Sequence, residues 1–182
     1  GKHHADFNPY DRGFDHFSGF LGGAINFWNP GDRARPGEDE PGWRAVYSWA
    51  FDDKVVKPYI PGEEFFATDT FTDWSLGWLD EKKDSAKPFF LFLSYNAPHW
   101  PLHAHPEDIS KYNGTYDKGY EEIRKARYER QLDMGLFDEK TARLSEPDHE
   151  PWNSLSKKQR NEEALRMQIH AAMAVSYTHL RA

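Results

Sequence analysis

The 182-residue chain contains no cysteine. A disulfide scaffold, a thiolate zinc site and a cysteine nucleophile are therefore excluded within it, and redox compartment cannot be inferred. No apolar run approaches the ~20 residues that a membrane-spanning helix needs. The hydrophobic run Pro88-Phe89-Phe90-Leu91-Phe92-Leu93 is only strand-sized. There is no Lys/Arg block, and a formal net charge of -7 argues against a nucleic-acid surface. Neither a Gly-rich phosphate loop nor a serine elbow motif is present. The chain also lacks an initiator Met, and no charged and then apolar leader follows Gly1-Lys2-His3-His4.

What is present is polar but globular, with 38% hydrophobic and 29% charged residues. Aromatics reach 16%, with 7 Trp, 9 Tyr and 13 Phe, so a core can be built from large rings instead of leucine. Residues 1–67 are loop-rich, with an exposed Pro/Gly/charge loop expected between Asn29 and Gly42. A hairpin is expected over Tyr47–Tyr59 around Asp52-Asp53. Phe71, Trp74, Trp78 and Leu79 mark one stripe of a helix running from Thr68–Thr70 to near Lys83, with Thr70 and Asp73 as its capping pair. Phe89–Tyr95 then reads as a strand apolar on both faces, the kind usually covered by helices within an α/β sheet.

Further on, Pro106 opens a short helical turn through Ile109. Tyr120–Gly135 reads as an amphipathic helix carrying Ile123, Arg127, Tyr128 and Leu132, with Gly135 at its C-cap. Ser156 and Gln159 form a capping-box pair for a last helix reaching about Val175, with Ala164, Leu165, Ile169, Ala172 and Met173 as its stripe.

The strongest chemical feature is His99, in the loop Asn96-Ala97-Pro98-His99-Trp100-Pro101 directly after the expected strand. Ligands bind beyond the carboxyl ends of strands in open α/β sheets, and an imidazole there can bind an anion or donate a proton to a leaving group. A histidine packed in a turn by Trp100 is the bland alternative. His103 and His105 follow, but their spacing matches no metal-ligand pattern, and exposed loop histidines are expected. Asp11-Arg12-Gly13-Phe14-Asp15 reads as a turn with a structural Asp/Arg pair, and Glu38-Asp39-Glu40 as a solvated run. Asp52 and Asp53 could serve acid/base work or hold calcium, although neighbouring strand residues face opposite ways. On these residues alone the chain is an α/β domain of uncertain role.

Taken together, four blocks resemble the formylglycine-dependent sulfatases of the alkaline phosphatase-like superfamily, in that family's order. Gly1-Lys2-His3-His4 resembles the Gly-Lys-Trp-His block, with His3 in place of Trp. Pro9 to Gly23 resembles the Arg-Gly-Phe-Asp and Gly-Phe-x-Gly-Gly region. Thr68-Asp69 to Leu79 resembles the helix before the strand. Lys87 to Leu102 is similar to the strand-and-loop sequence and is the most specific of the four. Tyr112 through Glu163 is similar to the helical insertion of the bacterial arylsulfatase branch.

The resemblance implies a partial sulfatase domain, incomplete, with a mixed sheet flanked by helices. Residues 1–175 would be an internal portion of the catalytic domain, about 111–163 its helical insertion, and 176–182 a non-native tail. It implies sulfuric ester hydrolysis of a sulfated small molecule or glycan by the parent protein. Lys2 would pair with the sulfate oxygens and the formylglycine hydrate. His4 would hydrogen-bond that hydrate and assist its breakdown, and His99 would contact the sulfate and favour departure of the alcohol. The nucleophile arises from a Cys/Ser-x-Pro-x-Arg motif that is not in this sequence, so the chain alone is expected to be inactive. Calcium is expected in the full-length parent, with no ligands assigned here, and periplasmic or secreted localisation follows the family. Two other readings stand beside this one. A phosphatase or phosphodiesterase of the same superfamily would have a Ser/Thr nucleophile and two zinc ions. A non-enzymatic carbohydrate-binding module would be a complete fold.

Overall fold

Unpaired aromatic surface is what the first half of the chain has most to bury, and its short strands form where rings meet. The computed structural model describes residues 7–31 and 47–179, without the side chains of 177 and 179. Strands β1 (Ser18–Phe20), β2 (Trp49–Phe51) and β3 (Lys54–Val56) form an antiparallel sheet in that order. Phe20 lies opposite Trp49, and Phe51 lies between Ser18 and Lys54. The β2–β3 hairpin is the one expected over Tyr47–Tyr59. Trp49 is fully buried and meets Tyr59, Phe20 and Phe71 at ring separations of 4.5, 5.6 and 6.0 Å. Rings of this size bury enough area for a small core without leucine.

Asp52 closes the hairpin and is structural. Its φ of 53° is left-handed, a conformation Asp tolerates because its short side chain can bond locally. The Asp52 N–H donates to the Phe17 carbonyl at 2.7 Å, and its Oδ1 accepts the Phe17 N–H at 2.9 Å. Its carbonyl accepts from Asn8 Nδ2 at 2.6 Å, and Oδ2 lies 3.3 Å from His16 Nδ1. Nearby, Arg12 stacks over Phe7 at 4.1 Å, where an Asp/Arg pair within the turn was expected. An aromatic face offers the guanidinium a partner that needs no fixed carboxylate geometry.

Helix α1 spans Ala67–Lys82 with Phe71 buried and Trp74, Trp78 and Leu79 half-buried. Its start corrects the expected capping pair: Thr70 lies inside the helix, and the N-cap is Phe66 without a side-chain bond. Packing decides the start, because Phe66 and Ala67 are buried and the Ala67 N–H donates to the Phe27 carbonyl at 2.8 Å.

The expected buried strand at Phe89–Tyr95 is not observed. The segment carries no strand assignment among the described residues, and Phe90 is 75% exposed. A strand exists only when neighbours take up its N–H and C=O groups. The apolar pattern reports a habit of the segment, while no described strand lies beside it. Its rings settle instead on Trp78, 5.3 Å from Phe89, and on Phe14, 6.3 Å from Phe90.

Two compact units are present: residues up to His103 with the last turns from Met173, and Ala104–Ala172. In the second unit, α2 (Pro106–Ser110) begins at the expected proline, and α3 spans Tyr120–Asp133. Gly135 ends α3 with φ 68°; its N–H donates to Leu132 and that of Leu136 to Gln131, a paired C-terminal cap. None of α3 is fully buried, so its amphipathic face is weaker than expected. Helix α4 (Lys157–His179) carries the expected box: Gln159 N–H donates to Ser156 Oγ at 3.3 Å, and Ser156 N–H to Gln159 Oε1 at 2.9 Å. The helix runs one turn past Val175, and Leu165 of the expected stripe is 49% exposed.

Candidate functional site

His99 sits in a loop that is pinned on both sides. At the entry, Tyr95 Oη lies 2.7 Å from Thr72 Oγ1 on α1. Thr72 gives its single hydroxyl proton to the Thr68 carbonyl at 3.0 Å, so Tyr95 is the donor. Asn96 is buried, and its Nδ2 donates to the Ile25 carbonyl at 3.3 Å. The Asn96 carbonyl accepts the His99 N–H at 2.9 Å, which closes a four-residue turn through Pro98. The peptide bonds before Pro98 and Pro101 are cis. At the exit, His103 Nδ1 accepts the Phe27 N–H at 3.4 Å, and its ring meets Phe27 edge-on at 6.0 Å.

His103 is therefore a half-buried pin and not the exposed loop histidine expected from sequence. An Nδ1 that accepts a backbone N–H must be unprotonated, which leaves any ring proton on Nε2. His105 is also half-buried, at the N-cap position of α2. Asn96 is an anchor that sequence reasoning missed. Its partner lies 71 positions away, and the only local signal was its place before a proline-bounded histidine.

His99 itself is exposed, with Nδ1 2.8 Å from the Trp100 carbonyl. A carbonyl can only accept, so Nδ1 carries a proton and Nε2 is the atom left for chemistry. The neutral ring offers a lone pair there, and the protonated ring offers a donor to an anionic or leaving oxygen. The loop follows a segment with no strand assignment, exposed over Phe89–Phe92, where a covered sheet strand was expected. Lys2 and His4 lie outside the described residues, so the three sequence candidates are not brought together here. Among the described residues, no group of three or more His, Asp or Glu could hold a metal ion. Those residues do not fit a calcium centre.

The sulfatase family model matches residues 1–169 of this sequence. The chain belongs to the sulfatase family. It is 30% identical over 169 residues to an uncharacterized sulfatase of Schizosaccharomyces pombe, which covers 91% of this chain and 29% of that protein. With an arylsulfatase of Klebsiella aerogenes the identity is 28% over 177 residues, or 95% of this chain and 36% of that one. The chain thus spans about a third of the length of these relatives. Among solved structures, it is similar to Ps i-CgsB in complex with k-i-k-neocarrahexaose. The TM-score is 0.46 and the identity 22%, covering 95% of this chain and 30% of that one.

Sulfatase membership sets the fold as part of an alkaline phosphatase-like domain, represented among the described residues by a small antiparallel sheet with flanking helices. No helix among the described residues is long and apolar enough to cross a membrane.

Proposed function

We propose that the protein to which these residues belong hydrolyses sulfuric esters, with Lys2, His4 and His99 as part of its site. The observation that carries this reading is the anchored loop, which holds Nδ1 of an exposed His99 on a backbone carbonyl and leaves Nε2 available. A cation at Lys2 would hold sulfate oxygens, where bound charge lowers the barrier most. His4 would hydrogen-bond the attacking group. His99 would contact the sulfate and protonate the departing alcohol oxygen. Calcium and a formylglycine nucleophile belong to this reading through the family alone. The chain carries neither cysteine nor a Ser-x-Pro-x-Arg motif, so by itself it is inactive.

The compactness of Ala104–Ala172 as a unit supports reading about 111–163 as a helical insertion within residues 1–175, an internal portion of the catalytic domain, with 176–182 as a non-native tail. Periplasmic or secreted placement is part of the same proposal, as is an aryl or glycan sulfate substrate. The test is turnover by the longer protein on paired chromogenic esters. Release of 4-nitrophenol from 4-nitrophenyl sulfate well above that from 4-nitrophenyl phosphate is the expected result. A reversed preference would install the phosphatase reading instead, and no turnover of either would contradict both.

A further inference from the structure

The second unit contains a cleft of about 640 Å³ between α3 and the first turns of α4, within the size range of small-molecule sites. Ile123, Leu155 and Met167 give it apolar lining, and Tyr120 lies beside them, held edge-on at 5.0 Å by both His149 and Trp152. Arg124 and Arg127 also line it, one helical turn apart on α3 and so on one face. Neither guanidinium has a carboxylate among the described residues. Arg124 donates only to Ser145 Oγ, at 2.7 Å, and Arg127 makes no bond.

Two carboxylates share the lining, and both are engaged. Glu163 accepts from Arg166 and from the Tyr120 hydroxyl. Glu150 Oε1 accepts from Ser154 Oγ at 3.0 Å. With Arg166 set against Glu163, the remaining balance is two arginines against Glu150. Guanidinium forks suit oxyanions, and an apolar wall beside them suits a flat ring.

We propose that this cleft binds a planar ring carrying an oxyanion, with the ring against Met167 and Ile123 and the anionic group on Arg124 and Arg127. The proposal rests on the second unit alone and does not use the His99 loop.

The test follows the Met167 ε-methyl carbon by NMR in the whole 182-residue chain during titration with 4-nitrophenyl sulfate, 4-nitrobenzoate and the neutral 4-nitroanisole. Saturable shifts with the two anions, and weaker binding of the neutral ring, are expected. Arg124→Gln with Arg127→Gln removes two charge-assisted contacts and weakens anion binding about tenfold or more. Added salt weakens it too, which gives a readout that needs no variant. His99→Ala leaves the titration unchanged, so failure of the sulfate ester proposal and failure of this one are separable. No saturable shift, equal binding of 4-nitroanisole, or salt-independent affinity would overturn the proposal.

Discussion

Asn96 and His99 show how one loop separates anchoring from chemistry at the scale of single residues. Asn96 is buried, donates through Nδ2 to Ile25, and leaves its Oδ1 without a hydrogen-bond partner among the described residues. Asn96→Ala removes one bond together with an acceptor that already lacked a partner, so a loss of only about 1 kcal/mol is expected in urea unfolding. Asn96→Asp buries an unpaired charge at the same place and should destabilise more than Asn96→Ala. An equal effect of the two variants would contradict the anchoring account.

Tyr120 offers a pH test at the same scale. Burial, and then the hydrogen bond to Glu163, push its phenol up to about 12 from an ordinary value of 10.0. The folded state holds this proton more tightly than the unfolded state does. The associated stability is therefore complete below pH 10 and declines as pH rises through about 12. Phenolate absorbance should include a titration near pH 12 that Tyr120→Phe removes.

The loop around His99 was legible in the sequence because prolines and histidine advertise themselves locally. Asp52, Asn96 and His103 were not, since their roles come from partners 35, 71 and 76 positions away. No periodicity records such pairings.

Among the elements, helices whose ends are set locally were read well. The α4 box is a local device, and Ser156→Ala is expected to cost about 1 kcal/mol in thermal or urea unfolding. Gly119 is a stricter case. Its φ is 91°, and a Cβ there would lie 2.3 Å from the Trp152 ring. Gly119→Ala combines a disfavoured backbone with a clash against a buried indole, so it should destabilise the second unit by more than the Ser156 change. The α1 start was misread because burial of Phe66 and Ala67 overrode the Thr70–Asp73 signal. The Phe89–Tyr95 strand was misread for a different reason. Its sequence has strand chemistry, but pairing depends on a neighbour, and a neighbour is not written in the strand itself.

For the whole molecule, that segment sets the behaviour of the isolated chain. Phe89, Phe90 and Phe92 are 59%, 75% and 66% exposed along a backbone that joins no described strand. Such an edge templates pairing with other chains. Concentration-dependent self-association is expected by sedimentation, and Phe90→Lys with Phe92→Lys should suppress it. Unchanged association in that variant would place the contact elsewhere.

Family membership and the anchored loop meet in one claim, that His99 serves sulfate ester hydrolysis in the longer protein. The most direct measurement is kcat for 4-nitrophenyl sulfate in that protein with His99→Ala. Loss of a positioned acid is expected to lower kcat by about 10²- to 10⁴-fold with folding intact. A folded His99→Ala protein that turns over at the parent rate would contradict the account.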